Sequence, residues 1–169
     1  RRVLFRSAFF SESERFFHNR MNGVLAQYNG KRNSYVEFVC DWEGMYSTLS
    51  REKFRILLAG RHYLDTFYYG FNYSMFHYAG QQGAPIENVV DLQLLNPCVG
   101  VRFNAFFDFD IKLGALLTAQ RDRSFGHSWE KPCMGEFAFR ISRWGLSLDE
   151  RLYVGDNIHP FFYGHELED

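Results

Sequence analysis

The 169-residue sequence has few cysteines and prolines and no long hydrophobic run. Its three cysteines lack the paired CxxC spacing of a zinc site, and they are too few for a disulfide scaffold. No apolar stretch approaches the roughly 18 residues of a membrane-spanning helix. If the chain crosses a membrane, it must therefore cross with β-strands.

Familiar catalytic and cofactor motifs are also missing. The sequence contains neither G-x-S-x-G nor H-E-x-x-H, and its six histidines are scattered without metal-ligand spacing. Ser74 and His77 lie three residues apart, which puts them on opposite faces of a strand, so they cannot meet directly as nucleophile and base. We therefore predict a protein with no catalytic residue, metal or cofactor.

Charge of neither sign dominates the composition, whereas aromatic residues are abundant. The chain has 19 basic and 20 acidic residues, so no global field attracts nucleic acid, and we expect no nucleic-acid partner. Aromatic residues make up 19% of the chain, with 19 Phe and 10 Tyr. Such residues are typical of strands, interfaces and lipid-facing surfaces.

The longest patterned segment is VRFNAFFDFDIKLGALLTA, residues 101–119. Every odd-numbered residue in it is apolar, and most of the even-numbered residues are charged or polar. A single strand of this length would extend for about 60 Å, which is far longer than ordinary strands. We favour a hairpin near 107–109 with Asp108 in a left-handed conformation, because an odd-numbered loop preserves the parity of both arms.

Other segments alternate in the same way between polar turns. The remaining predicted strands are 34–49, 54–63, 67–80, 135–144 and 146–155, with long connections at 80–97 and 120–132. In the first of these, Glu37, Asp41 and Glu43 share one parity, opposite to Val36, Phe38, Cys40 and Trp42. We predict an all-β fold: an antiparallel meander over 34–155 that forms all or part of an up-and-down β-barrel.

The two ends of the chain differ from this middle region. Residues 1–7 resemble the translation of a sequencing adapter, so we expect them to be non-native. Residues 8–33 form a partly irregular N-terminal segment in which GVLAQY could be a short strand and Ser11 to Glu14 fits a capping box. Residues 156–169 are loop-like. We expect a truncated gene fragment read from environmental DNA.

Parity alone does not say which face of the sheet points outward. A soluble barrel puts apolar residues inside, whereas a membrane barrel surrounds a polar lumen with them. The aromatic content, the charges of both signs and the alternation of short and long connections favour a membrane barrel. Its lumen would hold a charge network of Arg102, Asp108, Asp110 and Lys112, unless these residues form a solvated hairpin face.

Two smaller features concern binding and redox state. Arg121, Arg123, His127 and Trp129 in the polar loop 120–132 combine hydrogen-bond donors with an aromatic ring, which suits a glycan or another small-molecule ligand. An ordinary polar loop is the alternative. Cys98 and Cys133 each follow a proline before a strand-like segment. They are either unpaired thiols or a disulfide formed in an oxidising compartment.

Several short segments resemble a family of uncharacterised outer-membrane β-barrel proteins from Bacteroidota. They are DWEGMYS (41–47), REKFRI (51–56), SMFHYAG (74–80), VVDLQLLNP (89–97), LGALLTAQRDR (113–123) and LYVGDN (152–157). The resemblance covers most of the chain after about Phe16. It implies an outer membrane of a Gram-negative bacterium, contact with its lipid, and no established activity.

We therefore expect a non-enzymatic envelope protein with a structural, surface-binding or transport role. Two alternatives stay open. One is an outer-membrane lipid-modifying hydrolase, which would need Ser74 or another hydroxyl to converge with His77. The other is a soluble lipocalin-like barrel with a small apolar ligand, which would need an apolar interior with a cavity.

Overall fold

The computed structural model describes residues 22–83, 89–123, 126, 128–156 and 158. Their strands are β1 (Gly23–Asn29), β2 (Tyr35–Gly44), β3 (Arg51–Leu64), β4 (Phe67–Gln81), β5 (Val90–Asn104), β6 (Asp108–Asp122), β7 (Cys133–Arg143) and β8 (Leu146–Gly155). A short 3-10 turn, Lys31–Asn33, joins β1 to β2. The segment proposed as a capping box and His127 lie outside the described residues.

Each strand pairs antiparallel with the next, in the order β1 to β8. The predicted all-β antiparallel meander is therefore confirmed, as one eight-stranded sheet that is not closed within the described residues. The meander begins at Gly23 rather than at residue 34, because GVLAQY pairs with β2. In the described part of the chain, no helix has the length and apolar character needed to cross a membrane.

The segment 101–119 is a hairpin, as predicted. Asn104 pairs with Asp108, and the intervening loop closes with a hydrogen bond of 2.9 Å from the Ala105 amide to the Phe107 carbonyl. The prediction of a left-handed Asp108 is wrong, because the loop ends before this residue and Asp108 begins β6. Asp65 and Trp144 adopt positive φ angles in two other turns instead.

The segment 80–97 is only partly a connection, because β5 begins at Val90. Pro97 suggested a break, since proline cannot donate a ladder hydrogen bond and is rare in central strands. The register places it opposite Ala115 of β6. The side-chain amide of Asn96 donates to the Ala115 carbonyl at 2.8 Å, and so supplies a donor where Pro97 has none. The strand therefore continues through the proline.

Short and long connections alternate along the meander, and so lie at opposite ends of the sheet. The connections 30–34, 65–66, 105–107 and 144–145 define what we call the short-turn end. The connections 45–50, 82–89 and 123–132 define the long-loop end. At the last short turn, Trp144 and Gly145 have φ angles of 55° and 80°, as in the type I′ turns that suit two-residue hairpins.

The two faces of the sheet differ in burial and in polarity. We call the more buried one the inner face; it holds nine buried polar or charged residues, Glu37, Arg55, Asn72, Asn96, Lys112, Thr118, Gln120, Asp122 and Glu136. The outer face carries exposed apolar residues, among them Val36, Phe38, Trp42, Tyr69, Val99, Phe103, Leu113, Leu117, Phe137 and Leu152. On β2, Glu37 is 2% exposed and its neighbour Val36 is 47% exposed.

Apolar residues also occur on the inner face, but they form no single core. In the described residues, Leu94 packs with Leu116 and Phe76 packs with Leu92, and each cluster contains only these two buried members. A soluble domain of this size would bury one contiguous hydrophobic core. The inner face is therefore stabilised in large part by polar contacts, which also form the candidate site.

Candidate functional site

An ion pair between Lys112 of β6 and Glu136 of β7 lies at the centre of the inner face. The two side chains are 4% and 1% exposed. The side-chain amide of Asn96 of β5 donates to the other carboxylate oxygen of Glu136 at 3.0 Å, and Asn72 Nδ2 of β4 donates to Asn96 Oδ1 at 3.5 Å. Four consecutive strands are thus joined through buried polar side chains.

Glycines allow these side chains to reach across an intervening strand. Alternate strands of a sheet lie about 10 Å apart, yet Asn96 and Glu136 meet above Gly114 of β6. A Cβ atom at Gly114 would lie 3.1 Å from Glu136 and 3.3 Å from Asn96. Contacts between side chains two strands apart require a curved sheet, with the inner face on its concave side.

A second contact of this type links Tyr68 of β4 to Asp110 of β6. The Tyr68 hydroxyl donates to the Asp110 carboxylate at 2.6 Å, and the ring crosses Gly100 of β5. The Arg61 guanidinium lies 4.7 Å from the centre of the Tyr68 ring. Arg61, Tyr68 and Asp110 also border a polar cavity of about 230 Å³, and Arg140 and Arg151 line the same cavity.

The Gly100→Ala substitution tests the crossing of Tyr68 over β5. The added Cβ would lie 2.3 Å from Tyr68 Cζ, so the ring must move and its hydrogen bond to Asp110 must break. We expect the free energy of unfolding, measured by urea titration, to fall by about 1–3 kcal/mol.

Gly135→Ala is the matched control for this experiment. Its added Cβ would lie 3.6 Å from the Val154 carbonyl oxygen, an ordinary van der Waals contact, so we expect little loss of stability. Equal losses in the two variants would show that Gly100 is not required for the passage of Tyr68.

The four residues of the predicted charge network occupy one face, but their partners differ from each other. Arg102, Asp108, Asp110 and Lys112 all fall on the inner-face parity of the β5–β6 hairpin. Asp108 accepts a hydrogen bond from Asn104. Arg102 lies directly opposite Asp110 in the register. Tyr68 and Glu136, which bind Asp110 and Lys112, were not predicted, because their positions depend on the pairing of distant strands.

An ionic cluster lies on the outer-face parity at the long-loop end, around Asp91 of β5. Its carboxylate contacts His77 Nδ1 at 2.7 Å, Arg121 Nε at 3.2 Å and Arg123 Nη2 at 3.4 Å. The Trp129 ring centre lies 4.5 Å from the Arg121 guanidinium carbon. We call these five residues the rim cluster. Two guanidinium groups and one carboxylate leave it with a net positive charge.

The rim cluster contains three of the four residues proposed for ligand binding, namely Arg121, Arg123 and Trp129. His127 lies outside the described residues. The pairing of His77 with Asp91 was not predicted, because residues 80–97 were assigned to a connection. It depends on β5 beginning at Val90, which places Asp91 opposite His77.

The arrangement of Ser74 and His77 does not form a catalytic pair. They lie on opposite faces of β4, as their spacing predicts. His77 is hydrogen-bonded to Asp91. Among the described residues, no three His, Cys, Asp or Glu side chains are grouped in a way that could hold a metal ion.

Cys98 and Cys133 are both free thiols, so the disulfide alternative is wrong. Cys98 is buried on the inner-face parity of β5, and Cys133 is exposed at the start of β7 on the outer-face parity. Side chains on opposite faces of one sheet cannot form a disulfide without backbone movement.

Comparison of the chain with protein-family models, curated proteins and solved structures finds no match.

Proposed function

We propose that this protein is a β-barrel of the outer membrane of a Gram-negative bacterium, with a non-enzymatic structural, surface-binding or transport role. The observation that carries the proposal is the polarity of the two faces: charged side chains are buried beside apolar ones on the inner face, and many apolar side chains are exposed on the outer face. Water does not favour a large apolar surface. Hydrocarbon does, and a membrane barrel has this distribution of residues.

The length of the apolar segment along each strand supports the proposal. On β6 the outer-face residues are apolar from Phe109 to Ala119, and Arg121 follows. On β5 they are apolar from Leu95 to Phe103, with Gln93 at the long-loop boundary. These spans agree with the roughly 9–11 residues of a tilted strand that crosses the hydrocarbon layer.

Aromatic side chains lie near both ends of this apolar band. At the long-loop end, Trp42 stacks on Phe54 with ring centres 5.3 Å apart, and Phe54 lies 5.0 Å from the His77 ring. At the short-turn end, the exposed Phe106 and Trp144 pack against each other at 6.2 Å. Aromatic belts at two levels are typical of the two interfaces of a membrane.

Within this proposal, the rim cluster is the surface that would recognise a glycan or another small polar ligand. Trp129 offers a ring for stacking, and Arg121 and Arg123 offer donors at the same rim. Because the cluster lies beyond the apolar band, it would lie at the level of lipid headgroups or above in such a membrane. This level is accessible to water-borne ligands.

The environment of spin labels on the two faces of β6 tests the membrane location. Single cysteines at Leu113, Leu117, Thr118 and Gln120 would be spin-labelled in vesicles, after the three native cysteines are changed to serine. We expect the labels at Leu113 and Leu117 to be relaxed by oxygen dissolved in lipid, because both side chains are exposed on the outer face. The labels at Thr118 and Gln120, on the inner face, should not respond in this way.

The inner-face positions Thr118 and Gln120 are the matched controls, since each lies within three residues of an outer-face position on the same strand. If the outer-face labels are shielded both from oxygen and from a water-soluble relaxing agent, the apolar face is covered by protein. The proposed membrane location is then wrong, and a soluble barrel becomes the better interpretation.

A further inference from the structure

A groove interrupts the sheet surface at the short-turn end, between the 30–34 turn and strands β3 and β4. Its volume is about 570 Å³, within the usual range of small-molecule sites. Gly60 has no side chain, and the register places Val36 on one side of it and Phe71 on the other. The groove thus has an apolar wall beside a glycine.

The mouth of the groove is basic. Lys31 and Arg32 lie in the turn that borders it, His62 lines it from β3, and no acidic residue is among its described lining residues. Asp65 reaches Arg32 from outside the groove at 3.3 Å, but both side chains are largely exposed, so this pair is weak. The groove therefore combines an apolar wall with a positively charged entrance.

The position of the groove matches the edge of the apolar band. Outer-face apolar residues of β2 begin at Val36, two positions after the turn ends at Ser34. Tyr28 and Tyr69 also line the groove and are exposed. Tyrosine rings favour the interface between hydrocarbon and water. In the membrane proposed above, Lys31 and Arg32 would therefore lie at the level of lipid phosphates.

We propose that this groove binds one anionic phospholipid, with an acyl chain along Val36 and Phe71 and the headgroup beside Lys31 and Arg32. This inference rests on the proposed membrane location. The occupant must be amphiphilic, because the apolar wall and the basic entrance are parts of one cavity. The net positive charge of the entrance selects an anionic headgroup over a zwitterionic one.

Native mass spectrometry of the full chain, refolded in detergent micelles, tests this site. Phosphatidylglycerol and phosphatidylcholine with identical acyl chains would be titrated separately, and the bound lipids counted by mass. We expect one phosphatidylglycerol to bind in preference to phosphatidylcholine. Lys31→Gln should weaken this binding about fivefold, the usual effect of one basic residue at an anionic headgroup.

Two further variants make the result specific. Lys131→Gln removes the same charge from an exposed position at the long-loop end, so it should leave binding unchanged. Gly60→Val should block the groove, because even a Cβ at this position lies 3.2 Å from the Phe71 ring. Lys31 is exposed in a turn, so its variant keeps the test valid if Gly60→Val does not refold.

The outcomes separate this inference from the proposed function. Equal binding of the two lipids, or equal effects of Lys31→Gln and Lys131→Gln, would overturn the lipid site while the chain still inserts into vesicles. Inorganic phosphate would also be added at the same concentration as phosphatidylglycerol. If it displaces the lipid, the phosphate group alone accounts for binding, and the proposed lipid site is wrong. Failure of the chain to insert into vesicles would overturn the proposed function and this site together.

Discussion

Glu136→Gln should lower the free energy of unfolding by about 3–5 kcal/mol, the usual cost of leaving one member of a buried ion pair without its partner. The substitution keeps the shape of the side chain and an oxygen for Asn96, but it leaves the Lys112 ammonium, 4% exposed, without an opposite charge. Urea unfolding of the chain refolded in micelles measures the loss.

An exposed ion pair of the same sheet provides the control. Asp149 lies 3.7 Å from Arg140, and the two side chains are 50% and 54% exposed. Asp149→Asn removes the same charge, and we expect a loss of less than about 1 kcal/mol because solvent screens such pairs. If Glu136→Gln lowers the free energy of unfolding no more than Asp149→Asn does, water reaches the inner face and screens its charges.

Removal of both charges should restore much of the stability. In Lys112→Met with Glu136→Gln, no buried charge remains unpaired, and a buried pair replaced by neutral groups is often tolerated. We expect the double variant to be more stable than Glu136→Gln alone. An additive loss would mean that Lys112 and Glu136 act independently rather than as a pair.

Asn96→Ala has the second largest expected effect, a loss of about 2–4 kcal/mol, because several buried polar groups lose a partner at once. Asn96 is fully buried, and its amide serves both the Ala115 carbonyl and the Glu136 carboxylate. The same urea unfolding measures this loss. Asn104→Ala, which removes an exposed amide bonded to Asp108, is the control and should cost little.

A second substitution distinguishes the two roles of Asn96, as donor to the Ala115 carbonyl and as donor to the Glu136 carboxylate. Pro97→Val restores a backbone N–H opposite Ala115, so it should recover part of the stability lost in Asn96→Ala. The same change in the native chain should recover nothing, because Asn96 already supplies the donor. If Pro97→Val has the same effect in both backgrounds, Asn96 does not compensate for the proline.

Local alternation predicted the strands well, since successive side chains on a strand point to opposite faces whatever the rest of the fold does. The pattern of β2, with Glu37 and Asp41 opposite Val36 and Trp42, gave the two faces that the structure shows. The hairpin at Asn104 followed from the same rule. Pro97 was misleading, because the Asn96 side chain that compensates for it acts across strands.

The partners on the inner face were beyond prediction from one sequence. Tyr68 and Asp110 are 42 residues apart, and Asn96 and Glu136 are 40 apart. No local signal links residues at such separations. The register of three consecutive strands is needed to bring them together, along with a glycine on the middle strand.

The sequence by itself determined that this chain forms strands with one apolar and one polar face, because alternation is a property of neighbouring residues. Only the tertiary structure decided which face is buried. Curvature of the sheet brings together inner side chains from strands that are not neighbours, such as those of Asn96 and Glu136, and spreads the outer ones apart. Burial depends on this curvature, so the same alternation could have produced an apolar interior.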